Sequence, residues 1–325
     1  MTYRIVVNGL DHAFLSEFGC TCGRCLWQRP LANTSVSVLG LSEGGEVAAH
    51  LLFDVGAGVV NSLTTSLRLG GHNARLDMLL LSHWHPDHVL DLNRLCETWR
   101  RRQARQGAPR DPLPTWCRSG TMDWLRRTHP YELTMLGVTP SNEYEPAGTL
   151  LPAIGLGMEG LTVTPVAVSH GTADRDPGDP ARQLACSAAF VVETSRRKTL
   201  FLWDMDNQND WIVTPSTPGH VKAKEKMAGA DYVFMDCNTW EEESPAGKNT
   251  GHVSFRTVLE YTRALRLKDT SETVLLHLSG HEDGQDMPGW GWDDLRWQNE
   301  AARTWAEQGM PGAVRVPKIG DEFIL

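Results

Sequence analysis

Short apolar runs bounded by turn residues recur at positions 35–39, 49–53, 161–168, 188–192, 199–203, 232–235 and 274–278, and runs of this length and composition predict strands. Residues 1–7 and 76–81 read the same way. Apolar positions at helical spacing predict helices over 61–69, 88–105, 122–127, 254–265 and 293–308. Strands and helices therefore mix without a strict repeating order, which two packed sheets flanked by helices would accommodate. The expected class is α/β. No internal repeat, low-complexity tract or linker interrupts the pattern, so residues 1–325 are expected to form one domain.

Three stretches depart from this rhythm. Residues 171–184, rich in Asp, Pro and Gly, read either as a lid or as an inert surface loop. Arg100, Arg101, Arg102, Arg105 and Arg110 form a basic stretch, either a solvated helix end or an aid to the approach of an anionic substrate. Trp290, Trp292, Trp297 and Trp305 crowd a C-terminal extension of about residues 286–325. They read as anchors that pack the tail onto the body rather than as a platform for stacked bases.

Charge narrows the function classes. A formal net charge of −9 over 325 residues counts against a broad nucleic-acid-binding surface, and so against long nucleic acid as a partner. No run is long and apolar enough to span a membrane, and the first residues lack the charged leader of a targeting segment. A soluble, cytoplasmic protein is expected, with a homodimer left open. Three of its seven cysteines cluster in Cys20-Thr21-Cys22-Gly23-Arg24-Cys25. In a cytosolic chain such crowding favours zinc coordination over disulfides, with a fourth ligand from elsewhere. Incidental or redox-active thiols are the alternative. Cys96, Cys117, Cys186 and Cys237 read as small buried residues.

The densest chemistry lies in Ser82-His83-Trp84-His85-Pro86-Asp87-His88, between a predicted strand and a predicted helix. Three imidazoles and a carboxylate are costly to bury without partners and supply enough donors to begin two metal sites. On an extended loop His83 and His85 point the same way, while Asp87 and His88 fall past the bend. Further donors follow at other strand ends: His170, Asp204 and His277. Singly, each reads equally well as an ordinary hydrogen-bonded residue. Together they give His83, His85 and His170 to one ion and Asp87, His88 and His277 to a second. Asp204 bridges the two, with Asp206 in reserve for that role. Mixed imidazole and carboxylate donors accept zinc, manganese or iron, with zinc or manganese expected here.

This constellation, His83-x-His85-x-Asp87-His88 followed by His170, Asp204 and His277, resembles the metallo-β-lactamase superfamily, which implies an αββα sandwich. Within it the likeness is greatest to the cyclic phosphodiesterases of the phosphonate (carbon-phosphorus lyase) pathway, with tRNase Z more distant. Cys20-x-Cys22-x-x-Cys25 resembles the zinc cluster of those phosphodiesterases. Leu278-Ser279-Gly280-His281 sets a histidine where they supply the fourth ligand, so the resemblance gives one structural zinc to Cys20, Cys22, Cys25 and His281. Met235-Asp236-Cys237 and Gly251-His252 resemble their late motifs, and imply His252 as general acid with Asp236 orienting its ring. Asp54, in Leu52-Phe53-Asp54-Val55-Gly56, reads as a brace for the ligand loop. The likeness spans about residues 20–282, and residues 171–184 are an insertion relative to it.

The resemblance implies a hydrolase of small phosphodiesters, cyclic phosphate or nucleotide-like. A hydroxide bridging two divalent ions would attack phosphorus, with Asp87 among the catalytic ligands and His252 protonating the leaving oxygen. A small anionic substrate is the implied partner. Hydrolysis of a lactone or thioester on the same fold is an alternative. So is an oxidative role like that of the pyrroloquinoline-quinone biosynthesis B protein, although the intact dinuclear donor set speaks against it.

Overall fold

The structure is a computed structural model that describes every residue except 72–73, 142–143, 177, 242–250 and 282. The first half of the chain lays down β1 (Thr2–Gly9), β2 (Ser35–Leu41), β3 (Val47–Phe53), β4 (Met78–Leu80), β5 (Leu113–Arg118) and β6 (Leu136–Ser141). Between them run α1 (Gly23–Leu26), α2 (Val59–Thr65), α3 (Pro86–Val89), α4 (Leu92–Arg105) and α5 (Ser119–Thr128). The second half adds β7 (Leu161–Ala167), β8 (Arg175–Asp176), β9 (Asp179–Gln183), β10 (Ala188–Thr194), β11 (Lys198–Leu202), β12 (Tyr232–Asp236), β13 (Glu272–Leu276), β14 (Ala313–Arg315) and β15 (Glu322–Ile324). Helices α6 (Pro218–Met227), α7 (Phe255–Ala264) and α8 (Asp294–Glu307) complete it.

Two sheets result, a seven-stranded one in the order β15-β1-β2-β3-β4-β5-β6 and a six-stranded one in the order β14-β13-β12-β11-β10-β7. Side-chain alternation explains how they stack. In β3 and β4, Leu51, Phe53, Met78 and Leu80 join a cluster shared with Phe190, Phe201 and Phe234 of the second sheet. The intervening Leu52 and Leu79 face the other way, onto Val59 and Val60 of α2 and Leu92, Leu95 and Cys96 of α4. With both faces covered, these strands read as unbroken apolar runs. The second sheet's cluster also takes in Ala223 and Met227 of α6, Val258 and Tyr261 of α7, and Trp297, Ala301 and Trp305 of α8. This is the αββα layering of the metallo-β-lactamase fold.

The helix expected over 88–105 is divided. α3 ends at Val89 and α4 begins at Leu92, because the backbone at the junction bonds to a neighbouring loop instead of to its own next turn. Val55 N donates to His88 O at 2.9 Å, Asp91 N donates to Val55 O at 3.0 Å, and Val60 N donates to the Asp91 carboxylate at 3.2 Å. Residues 171–184 hold the short β8–β9 hairpin. Its base is fixed where Trp84 Nε1 donates to Ala173 O at 2.9 Å, in a small apolar cluster with Leu184, Cys186 and Trp124.

The C-terminal region is woven into both sheets. β14 extends the second sheet beside β13, and β15 pairs with β1 at the edge of the first. Trp292, Trp297 and Trp305 are buried, and Trp292 and Trp297 pack with Trp240 at ring distances of 5.0–5.6 Å. They act as anchors. No helix among the described residues is long and apolar enough to cross a membrane.

Candidate metal centre

The parallel strands deliver chemistry at one edge of the sandwich. β3 runs into Asp54, β4 into the 82–88 loop, β7 into His170, β11 into Asp204 and β13 into His277, while Asp236 ends β12. Three of these residues, Asp54, Asp204 and His277, take positive φ values of 58°, 54° and 56°. Such left-handed geometry is costly away from glycine and gathers at functional sites. Placed straight after a strand, it turns the side chain off the sheet and into the cleft. Gly56 serves a related need, because a Cβ there would lie 1.7 Å from Asp87 O. Only a glycine lets the 54–58 loop press against the ligand loop.

The structure brings the donors into two adjoining groups, His83 with His85 and His170, and Asp87 with His88, Asp204 and His277. Within each group the candidate ligand atoms lie within 4.8 Å of one another. His170 Nε2 stands 3.1 Å from His85 Nδ1. Asp204 Oδ2 is 3.0 Å from His88 Nε2, and Oδ1 is 3.3 Å from His277 Nε2 and 3.9 Å from both His83 Nε2 and His170 Nε2. Asp204 thus reaches both groups. Asp206, the reserve for that role, turns away. Its carboxylate accepts from Ser169 Oγ at 3.0 Å and Gly171 N at 2.8 Å, which fixes the turn that carries His170.

Whether these residues suit divalent ions can be judged from their unsatisfied atoms. His83 Nε2, His88 Nε2 and both oxygens of Asp204 are buried yet make no hydrogen bond among the described residues. Buried polar atoms are ordinarily paired, and four orphans converging on one space fit a cation. Charge agrees. Burial works against ionisation of Asp87 and Asp204, but His88 and His277 hold both carboxyls well below their usual range. Burial likewise opposes a proton on His88, and Asp204, Asp87 and Asp54 overcome it, raising the ring well above the ordinary imidazole value. Burial, with the imidazoles around them, drives His83 and His170 far down, and takes His85 to about 4. The site therefore combines three imidazoles held toward the neutral form with two ionised carboxylates that attract positive charge.

Behind the donors lies a brace. Asp54 accepts from Ser82 N and Ser82 Oγ, both at 2.7 Å, and from Trp203 Nε1 at 2.8 Å, and its Oδ2 is 2.9 Å from His88 Nδ1. Gly251 O lies 2.9 Å from His170 Nδ1. Each contact leaves Nε2 of its ring directed at the cleft. At the rim, His252 Nδ1 is 2.9 Å from Asp236 Oδ2. His12, which the sequence reading did not single out, is buried in the same cleft. One of its ring nitrogens groups within 4.8 Å of those of His252 and His277. It follows β1 with no motif spacing around it, so only the strand's end could have hinted at its place.

The second donor set gathers at the surface. Sγ atoms of Cys20, Cys22 and Cys25 approach His281 Nε2 at 3.1, 3.3 and 3.5 Å. Three thiols and one imidazole nitrogen around a common point match a closed zinc ligand set. Cys96, Cys117, Cys186 and Cys237 are buried and unpaired by disulfide. Of the basic stretch, Arg101, Arg105 and Arg110 are exposed, and Arg102 borders a groove with Trp99, Leu63 and His50 that no metal-centre residue lines.

Comparison with known proteins bears on the same features. The beta-lactamase superfamily domain matches residues 50–278. The chain is similar to a ribonuclease Z of Bradyrhizobium sp. (strain ORS 278), 26% identical over 272 residues covering 73% of this chain and 83% of the relative. Among solved structures it resembles a diphosphatase from the PhnP family, with a TM-score of 0.65 and 19% identity over 100% of this chain and 98% of that one. It also resembles Zn2+-bound PqqB from Methylobacterium extorquens, with a TM-score of 0.66 and 15% identity over 99% and 100% of the two chains. At these identities the structures speak to the fold.

Proposed function

The chain belongs to the beta-lactamase superfamily, and from that membership we propose a metal-dependent hydrolase whose substrates are small anionic phosphodiesters, cyclic or nucleotide-like. His83, His85 and His170 would hold one divalent ion, Asp87, His88 and His277 a second, with Asp204 shared. Two ions of zinc or manganese held there would supply an acidified water at neutral pH and neutralise charge on the diester. The remaining work belongs to side chains. Asp54, Ser82 and Trp203 fix the ligand rings in register, so little reorganisation accompanies the reaction.

His252 carries the reading. Alkoxide is a poor leaving group from phosphorus and needs a proton as the bond breaks, whereas a thiolate expelled from a thioester does not. Asp236 faces Nδ1 of His252 at 2.9 Å, which holds a proton on Nδ1 and orients the ring, so that the imidazolium gives up its other proton from Nε2. Burial disfavours the imidazolium, but Asp236, then Asp204 and Asp87, outweigh it and bring His252 up to about 9. Asp236, which belongs to neither donor group, is the part of that stabilisation that ions on Asp204 and Asp87 would leave in place. Cys20, Cys22, Cys25 and His281 would take one zinc in a closed set that serves stability rather than turnover.

A hydrolysis panel with manganese or zinc tests this, comparing a bis-aryl phosphate, cyclic nucleotides, a lactone and a thioester. Phosphodiester turnover that His252→Ala depresses is the expected result. Turnover confined to the lactone and thioester contradicts the proposal.

A further inference from the structure

The segment 11–15 forms a wall of the cleft that the two donor groups leave unexplained. His12 is 8% exposed, and its ring meets those of His277 and His252 nearly edge-on, at centroid distances of 5.0 and 5.9 Å. On its outer side Phe14 meets it edge-on at 5.2 Å while remaining 63% exposed. An aromatic path therefore runs from solvent to the rim occupied by His252.

This wall is held in place by more than packing. Asp11 is fully buried and pairs with Arg24 at 2.8 Å and with Arg29, and it accepts from Ala32 N at 3.2 Å. Arg24 lies between Cys22 and Cys25 and also reaches Asp294 at the start of α8, at 2.9 Å. Asn33 Nδ2 donates to His12 O at 2.8 Å. Leu15 then takes a φ of 48°, a left-handed conformation that a bulky side chain rarely adopts. The turn it makes sends the chain outward directly after Phe14. On a strained turn beside the cleft, the exposed ring of Phe14 stands where a substrate group can cover it.

We propose that Phe14, backed by His12, is the platform for the leaving-group side of the substrate, and that this side carries a planar aromatic ring, as a nucleoside or an aryl ester does. The inference rests on the phosphodiesterase reading, because it is the proton donor His252 that marks the leaving side. A ring from the substrate would cover the exposed face of Phe14, a contact available to any base. An aliphatic diester would leave that face in water.

Three five-membered cyclic diesters test the platform: adenosine 2′,3′-cyclic phosphate and glycerol 1,2-cyclic phosphate, which both expel alkoxide, and 1,2-phenylene phosphate, which expels phenoxide. Phe14→Ala should lower the kcat/KM ratio of at least one aromatic ester to the glycerol ester by about tenfold, through KM, in line with the loss of one stacked ring. Loss on adenosine alone marks a nucleobase, and loss on both marks any aryl group. Phe18→Ala removes a still more exposed aromatic of the same loop with no ring contact to His12, and should hold the wild-type ratio. A ratio unmoved by Phe14→Ala, or moved equally by Phe18→Ala, overturns the proposal. If the wild type turns over none of the three, the phosphodiesterase reading fails, and the platform is read from binding instead. Phe14→Ala must then weaken adenosine 3′-phosphate about tenfold relative to glycerol phosphate, and an unchanged relative affinity overturns it.

Discussion

The seven donors of the cleft, Asp204 at their centre, and the four of the thiol cluster, His281 among them, differ first in what holds them. Those of the metal centre stand just past the ends of strands whose runs are buried on both faces, and Asp54, Ser82, Trp203 and Gly251 lock several of the rings in turn. The thiols stand on a loop and one four-residue helix, α1, with Phe18 and Leu26 exposed beside them. Polar contacts tie that loop to the body: the His281 contact, the Arg24 and Arg29 ion pairs, and Arg24 N donating to Gly291 O at 3.2 Å. A rigid scaffold can be spent on geometry, whereas a weak one needs a cross-link. The first set is therefore organised for chemistry and the second for cohesion, although both use ordinary metal-binding side chains.

The sharpest way to break this contrast is to remove one donor from each set. Asp204→Asn keeps the shape of the side chain but removes its negative charge from the middle of both groups. Activity should fall by about a thousandfold or more, given the several kcal/mol that bound metals contribute to such reactions, while the melting temperature stays near wild type. Cys22→Ser should do the reverse. A structural zinc contributes folding energy directly, so thermal unfolding should shift down by on the order of 10 °C at roughly 2–4 °C per kcal/mol, with the remaining folded protein still active per molecule. Equal collapse in both variants would erase the distinction.

A smaller change probes the scaffold of the centre itself. Gly56→Ala places a methyl group 1.7 Å from Asp87 O, so one of the two loops must move. Overpacking of this kind costs about 1–3 kcal/mol, and metal affinity should drop along with stability. A variant that loses stability alone would show that the ligand loop does not depend on this contact.

Acid sensitivity sets the baseline for either cluster. His50 lies in neither. It is buried on β3 with Nε2 2.8 Å from Ser37 Oγ and Nδ1 against Arg75 O, and burial lowers it from 6.5 to about 4. The unfolded chain thus takes up this proton before the folded one does, and stability falls as pH drops from 6.5 toward 4. By pH 5 the loss should be on the order of 1–2 kcal/mol. Urea titrations of wild type and His50→Gln between pH 8 and pH 5 should diverge in slope accordingly, and parallel slopes would assign the acid loss to the clusters.

Much of this architecture was legible because burial on both faces writes itself as unbroken apolar runs, and because the donors from His83 to His88 are contiguous. What escaped did so for physical reasons. β5 and β6 carry Pro114 and Pro140, which argue against a strand, yet β6 is an edge that tolerates one. α6 has its start signal, Thr217 capping His220 N at 3.1 Å with Pro218 next, but buries only Ala223 and Met227, too little for a periodic face. β14 and β15 are three residues each and exist through pairing with distant strands. The break between α3 and α4 depends on the Val55 loop, which local spacing cannot report. His12 belongs with these cases, since its place in the cleft comes from the buried Asp11 ion pairs and not from any motif.

Anomalous diffraction from crystals grown with zinc or manganese tests the central claim most directly. The account predicts two peaks roughly 3.5–4 Å apart, one among His83, His85 and His170 and one among Asp87, His88 and His277, with Asp204 touching both. It also predicts a separate zinc among Cys20, Cys22, Cys25 and His281. A cleft without peaks, its imidazoles turned to other partners, would contradict it.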